Sequence, residues 1–431
     1  MILRVSESLT KALVVLAAIV IAAALSFYSL RMAWAAHAAR GETADGFKKA
    51  VDLEPDNSDY WYRLGYLQQF DLSSKESSHP ELYLLRATAL NPLNTNAWLD
   101  LGTYYELDGN TEAARKAFLR AKLSYPSSAE VSWRYGNFLL REGDLPTAYA
   151  EIRRAVQADQ HRAASAFSRC YRVNPDIGAI LNQALPGEPA VYVDVISEAT
   201  RSNQLAVAQT VWKRLLVMHP TLQFSDFNLL VLESLAAGQT IEARRVWDEG
   251  VATMALPALE QAKDSVVWDP SFESGTVGNS FSWRYQPLVE GVRISLDRTQ
   301  KHLGNQSLRV TFDNKHNPNL EVACTIVNVE PNTTYHFSGW VRTLNLTTNS
   351  GIGFRILPQG DPESTVSQTR EIHGTNPWTS IDTKWTTGPK ARQAAICVMR
   401  EPSDTPNANI SGTAWVDDVN LVPQSTESRK P

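Results

Sequence analysis

Residues 94–160 repeat themselves at a fixed interval of 34. Gly102 recurs as Gly136, Gly109 as Gly143, Ala114 as Ala148, Ala121 as Ala155, and Phe118 recurs as Ile152. A match at five positions in one register means that one supersecondary unit is stacked on its own copy. The residue types say what that unit is. Small residues at Gly102, Ala114 and Ala121 let two antiparallel helices approach closely, and the large residues fill the gaps. Gly109 makes the turn between the helices. Pro126 ends the second helix, because it has no N–H to give to the helical ladder.

The stretch NAWLDLGTYYELDGNTEAARKAFLRAKLSYP resembles a tetratricopeptide repeat (TPR). It carries Trp98, Leu101, Gly102, Tyr105, Ala114, Phe118, Ala121 and Pro126 at the spacings of that family. An upstream copy has Trp61, Leu64, Gly65, Ala87 and Pro92. It is three residues longer, since Gly65 to Gly102 is 37 whereas Ala87 to Ala121 is 34, and the insertion falls in the loop SSKESSHP. Ala50, Leu53 and Pro55 look like the end of a still earlier helix. Downstream, Ala208, Trp212 and Pro220 fit one worn repeat, and Gly238, Ala243 and Trp247 another. The pattern is interrupted around 160–190. The array is expected over 45–260.

The resemblance implies a solenoid that binds a protein partner along a concave face lined by the first helix of each repeat. Counted from the motif, that face includes Tyr62, Tyr66 and Gln69, then Asn96, Thr103 and Glu106, then Glu130, Trp133 and Asn137. Trp133 is one residue off the usual core Trp position and is expected in the groove. The alternative is that these aromatics pack against neighbouring turns.

Residues 12–30 carry no charge, close to the ~20 needed to cross a bilayer as a helix, and Phe27 and Tyr28 lie where interfacial rings prefer to sit. The segment 12–31 is expected to be an uncleaved signal anchor, with 1–11 cytoplasmic. The rival is a cleaved signal peptide, with AWA and AHA as peptidase sites, but its apolar core usually runs only ~7–15 residues. Arg4 and Lys11 before the segment balance Arg31 and Arg40 after it, so charge does not set its orientation.

After about 262 helical spacing gives way to short alternating runs such as QSLRVTF, TYHFSGWVRT and RQAAICVM, separated by Asn, Gly, Pro, Ser and Thr. Strands at that density predict an antiparallel sandwich. Four phrases, WDPSFESG with Trp283 following, HLGNQSLRV, VEPNTTYHFSGWVRT and AWVDDVNLVP, resemble jelly-roll carbohydrate-binding modules, in that family's order. The resemblance covers 266–423, leaving 424–431 as a polar tail. The expected fold class is therefore multidomain: a transmembrane helix, an all-α TPR solenoid, then an all-β jelly-roll sandwich.

Strand alternation would put Trp415, Asp417, Val419 and Leu421 on one apolar face, with Asp418 on the other. A buried Asp must be paired or bound to a metal. The carbohydrate-binding-module resemblance implies a structural calcium ion held by Glu273 and Asp417, with backbone oxygens near His302. The alternative is an Asp417 that accepts backbone N–H bonds without a metal. Adjacent acids on one strand cannot face a sugar across a cleft, as a glycosidase requires, and no other catalytic signature is present, so no catalytic residue is expected. In HFSGWVR, Trp340 and Arg342 fall on the face opposite Phe337 and Val341. They are candidate glycan contacts, with Trp283, Trp378 and Trp385 as further candidates; the alternative for each is core packing. Cys324 and Cys397 could bridge, leaving Cys170 free. Four Asn-x-Ser/Thr sequons read as coincidence.

A formal net charge of −5 argues against a nucleic-acid partner, which calls for a basic face. The order of parts resembles bacterial envelope proteins associated with surface-polysaccharide assembly. That implies an inner-membrane scaffold with the bulk of the chain outside the cytoplasm, a protein in the groove and a polysaccharide on the sandwich. A polysaccharide-binding protein whose main module is the sandwich is the other reading.

Overall fold

The computed structural model describes residues 8–70, 79–254, 256, 262–275, 280–285 and 289–424. The insertion expected in the SSKESSHP loop and the polar tail fall largely outside them. The chain forms two compact units, divided between Val191 and Tyr192.

The first unit is helical. It comprises α1 (Ser8–Ala39), α2 (Ala44–Leu53), α3 (Ser58–Phe70), α4 (Pro80–Leu90), α5 (Thr95–Leu107), α6 (Thr111–Ser124), α7 (Ala129–Glu142), α8 (Leu145–Ala158) and α9 (Ala163–Val173). A single turn, α10 (Ile177–Ala179), runs on into a π turn over Ile180–Ala184. The helices form antiparallel pairs, and the repeated small residues sit where the pairs touch. A Cβ at Gly102 would lie 3.0 Å from the Phe118 ring, and one at Gly136 would lie 2.9 Å from Ile152. Gly109 and Gly143 take left-handed φ of 78° and 80°, which only glycine adopts readily in ending a helix. Asn94, Asn110 and Ser128 cap the next helices by accepting the amides of Ala97, Ala113 and Val131 at 3.1, 3.1 and 3.3 Å. Trp61 and Trp98 repeat one device: each indole N–H donates to the carbonyl of the proline six residues earlier, at 2.7 Å to Pro55 and 2.9 Å to Pro92.

The earlier helix expected before Pro55 is α2, and its partner is the apolar helix itself. Residues Thr10–Ala39 are long and apolar enough to cross a membrane by length and composition. The helix does not stop at 31. The alanine-rich MAWAAHAA carries it on, as high helix propensity favours. Its last turns pack on α2: Ala35 is fully buried, and Ala39 packs against the cluster of Phe47, Val51 and Leu64. The interruption expected around 160–190 is not a gap. It is filled by α9, α10 and the π turn.

The second unit holds α11 (Pro189–Arg201, entered at Tyr192), α12 (Leu205–Leu216), α13 (Phe224–Ala236) and α14 (Thr240–Ala252), followed among the described residues by ten strands. These are β1 (Arg284–Tyr285), β2 (Val292–Asp297), β3 (Ser307–Asp313), β4 (Leu320–Asn328), β5 (Thr334–Leu346), β6 (Gly353–Gln359), β7 (Ser367–Gln368), β8 (Gly374–Thr386), β9 (Gln393–Arg400) and β10 (Ser411–Pro423). They form two five-stranded antiparallel sheets, ordered β1-β4-β9-β6-β7 and β2-β3-β10-β5-β8. Phe272, Trp283, Val310, Phe337, Phe354, Val398 and Val416 belong to the core between them. Cys324 and Cys397 are directly opposed on β4 and β9 and form a disulfide; Cys170 is free and buried.

The helical hairpin α13–α14 is fixed to the sandwich. Trp247 meets Trp268 edge-on at 5.0 Å and Phe281 at 6.0 Å, and Phe224 and Phe227 pack on its other sides. Polar contacts border the cluster: Ser280 Oγ to Asn228 Oδ1 at 2.8 Å, Asn328 Nδ2 to the Thr240 carbonyl at 2.7 Å, and Arg244 Nη1 to the Val266 carbonyl at 3.1 Å. The worn repeat read from Gly238, Ala243 and Trp247 thus buries its Trp against the first turn of the β domain.

Candidate binding surfaces

The helical groove is built by α3, α5, α7 and α9. Successive first helices are tied by side-chain contacts about one repeat apart. Arg134 Nη1 donates to Asp100 Oδ1 at 2.9 Å, and its Nη2 to Thr103 Oγ1 at 2.6 Å. Arg141 grips Glu106 with two nitrogens, at 2.5 and 2.9 Å. Arg162 reaches Glu130 at 3.1 Å, and Arg169 Nη1 donates to Asn137 Oδ1 at 3.0 Å. Asp100 is 4% exposed. Burial raises its pKa, opposed by Arg134 and by a hydrogen bond to Tyr62. The Tyr62 hydroxyl is in turn held protonated by burial and by Asp100.

Trp133 lies in the groove as its offset predicts, because the in-register position is the buried Ser132. The guanidinium groups of Arg162 and Arg169 sit 5.3 and 5.0 Å from its ring centre, a cation–π arrangement. A pocket of about 140 Å³ is lined by Thr103, Glu106, Trp133 and Asn137, with Phe118 and the three arginines 134, 141 and 169. Tyr66 is exposed, with its ring centre 6.2 Å from that of the half-buried Tyr62. Gln69 Nε2 reaches the Asp100 carbonyl at 3.5 Å. Asn96 is exposed and Glu130 sits at the rim. The arginines were missed from sequence, although for three of them an acid about one repeat upstream was there to be read.

On the β sandwich, the sheet face away from the core carries Trp340 and Arg342. The His302 ring stacks on Trp340 at 3.9 Å and 18°, and lies 5.7 Å from Trp378. All three rings are half-buried and together form an aromatic patch. Arg342 lies instead over Trp415, 5.9 Å from its ring centre, with Arg309 at 5.8 Å from the neighbouring strand. Trp283 and Trp385 are 1% and 2% exposed. Their indole N–H groups donate to the carbonyls of Asp269 and Thr365, at 2.6 and 2.8 Å. These two are core residues, the core-packing alternative, and cannot stack on a sugar.

The alternation expected along AWVDDVNL also fails. Val416, Val419 and Leu421 enter the core, whereas Trp415 faces outward. The reason is a bulge between Asp417 and Asn420, where Asp418 takes a left-handed φ of 52°. Asp417 is nonetheless fully buried, beneath the loop that precedes β3. Its Oδ2 accepts the amides of His302 and Leu303, at 2.7 and 3.2 Å, and its Oδ1 accepts that of Asp418 at 2.8 Å. Glu273 grips the same loop from the other end. Its Oε1 accepts the amides of Asn305 and Gln306 at 2.6 and 3.1 Å, and its Oε2 accepts Asn305 Nδ2 at 3.1 Å. Gly304 between them has φ 64°, and a Cβ there would lie 2.3 Å from Glu273 Oε1.

The two acids thus meet at one loop and tie the two ends of the domain together through its amides. Three amides donate to Asp417, with the Ser271 side chain also acting on it, and three donors reach Glu273. Burial pushes the Asp417 pKa up to about 7, against the amide bonds that lower it. The loop thus presents N–H groups to both carboxylates, that of His302 among them.

The family profile for a carbohydrate binding domain matches residues 264–405, and that for tetratricopeptide repeats matches 81–129 and 109–163. The chain joins a tetratricopeptide array to a carbohydrate-binding-type sandwich. No curated protein matches it. Among solved structures, the Family 16 Carbohydrate Binding Module-2 is 17% identical, covering 36% of this chain and 99% of its own, at TM-score 0.26. YrrB, a TPR protein with an unusual peptide-binding site, is 13% identical, covering 49% and 93%, at 0.27. PilF of Pseudomonas aeruginosa is 17% identical, covering 44% and 88%, at 0.27. The TPR profile ends at 163, so Arg169, which completes the pocket around Trp133, lies beyond it.

Proposed function

We propose that this protein is a non-enzymatic scaffold of the bacterial envelope, held in the inner membrane by α1, with its bulk outside the cytoplasm. Its TPR groove binds a protein partner, and its sandwich holds a glycan during surface-polysaccharide assembly. The observation that carries this reading is the groove pocket, where side chains from α5, α7 and α9 surround an accessible Trp133. Tetratricopeptide repeats are protein-binding modules, and aromatic and arginine anchors dominate the energy of such interfaces. The second reading, with the sandwich as the main functional module, is favoured by the patch of Trp340, His302 and Trp378.

In this reading Glu273 and Asp417 hold one calcium ion, which neutralises the buried carboxylates and fixes the 302–306 loop beside the aromatic patch. The disulfide is in keeping with an oxidising compartment. Topology is tested by reporters fused after Pro431. A reporter active outside the cytoplasm agrees with the reading, and one active only in the cytoplasm refutes it.

A further inference from the structure

Where the apolar helix meets the first repeat there is a pocket of about 490 Å³, lined by Tyr28, Arg31 and Met32 of α1 and by residues 53–58 of the α2–α3 turn. Its level is set by sequence. The uncharged run ends at Leu30, and Arg31 is the first charge after it. Tyr28 and Trp34 on either side are 60% and 66% exposed, as befits rings at a membrane–water interface. If α1 spans a bilayer, the headgroups lie at this height.

The pocket's charges are mixed. Arg31 takes part in no ion pair among the described residues, so its guanidinium is available to a phosphate, which it can grip with two N–H groups. The turn that lines the rest of the pocket carries Glu54, Asp56, Asn57 and Ser58. Among the described residues, the Glu54 carboxylate accepts one hydrogen bond, from Asn57 Nδ2 at 3.2 Å. Asp56 is 92% exposed and stands 3.9 Å from Arg86. Both acids therefore retain acceptor positions. One cation and two acids in one pocket match a ligand with both an anionic and a cationic group. A purely anionic headgroup would face two carboxylates, and a quaternary ammonium has no N–H to give them.

We propose that this pocket binds the headgroup of an ethanolamine phospholipid, with the phosphate on Arg31 and the primary ammonium on Glu54 and Asp56. The inference rests on the reading of α1 as a membrane anchor. It gives the pocket a role: one bound lipid would fix the angle between the anchor and the first repeat.

The test uses the full chain, reconstituted in vesicles of equimolar ethanolamine, choline and glycerol phospholipids. The protein is then extracted in mild detergent and its co-purifying lipid is weighed by mass spectrometry. The ethanolamine lipid should be enriched about tenfold over the choline lipid, the worth of one charge-assisted hydrogen bond. Arg31→Gln should abolish the enrichment. The pair Glu54→Gln and Asp56→Asn should instead turn the preference toward the anionic glycerol lipid, a reversal that mere loosening of the turn would not produce. Equal retention of the three lipids, or enrichment untouched by Arg31→Gln, overturns the proposal. So does competition by soluble glycerophosphoethanolamine at the same concentration, which would mark a site for a free polar molecule. Carbonate extraction of native membranes checks the anchor separately, since release of the protein there would fail that reading whatever the lipid result.

Discussion

Replacing Asp417 by Asn probes the loop anchor of the sandwich through its pH dependence. With calcium removed, the carboxyl is fully buried, faces amide donors and the Ser271 side chain, and has its pKa raised from 3.8 to about 7. In the unfolded chain it ionises near 4. Between pH 4 and 7 the folded state therefore holds a proton that the unfolded state has lost, and stability falls as pH rises. Each pKa unit is worth about 1.4 kcal/mol, so three units set the fall at about 4 kcal/mol, complete by about pH 8. Asp297, whose pKa is lowered to about 2, contributes in the opposite sense but below this window. Urea unfolding of the full chain in chelator, followed by tryptophan fluorescence from pH 4 to 8, measures the slope. Asp417→Asn should remove most of it. Stability that is flat or rising in the wild-type protein, or a slope unchanged in the variant, would refute the electrostatic reasoning.

Three further outcomes follow from the same geometry. Calcium should raise the melting temperature of the full chain's β transition and chelator should lower it, by about 2.7 kcal/mol of stability at a hundredfold excess over Kd; Asp417→Ala should abolish the shift and Asp418→Ala largely spare it. Gly102→Ala should destabilise the helical unit by about 1–3 kcal/mol through overpacking against Phe118, whereas Gly109→Ala, which meets nothing within 4 Å, should cost only about 1–2 kcal/mol of backbone strain, both read by thermal circular dichroism. On a glycan array, Trp340→Ala should lose binding while the sandwich stays folded, whereas Trp283→Ala should cost about 3–5 kcal/mol of stability as a core truncation; equal glycan binding by wild type and Trp340→Ala would remove the aromatic patch from consideration.

The helical packing was legible because it rests on small residues at fixed intervals, which leave a direct mark in sequence. Trp133 was legible for the same reason, as a residue one step out of register. The contacts of Arg134, Arg141, Arg162 and Arg169 fall only roughly one repeat apart, at separations of 34, 35, 32 and 32, and they show only when side chains in successive repeats are compared. The sandwich was legible as strands and less so as faces. Alternation failed along β10 because a non-glycine residue, Asp418, takes a left-handed conformation that no residue type announces. Trp283 and Trp385 could be read either as sugar contacts or as core; each is core, with its indole N–H on a backbone carbonyl. The attachment of α13–α14 to the sandwich joins Trp247 to Trp268 across a stretch whose composition reads as a simple change of domain.

The most direct test of the scaffold reading is a photo-reactive amino acid placed in the groove. In living cells, a probe at position 133 should cross-link to one protein partner, and a probe at the exposed Gln157 of α8 should not. Loss of the adduct in the double variant Arg134→Ala and Arg169→Ala, with the protein still folded, would complete the case. No adduct at 133, or the same adducts at 133 and 157, would contradict a partner-binding groove.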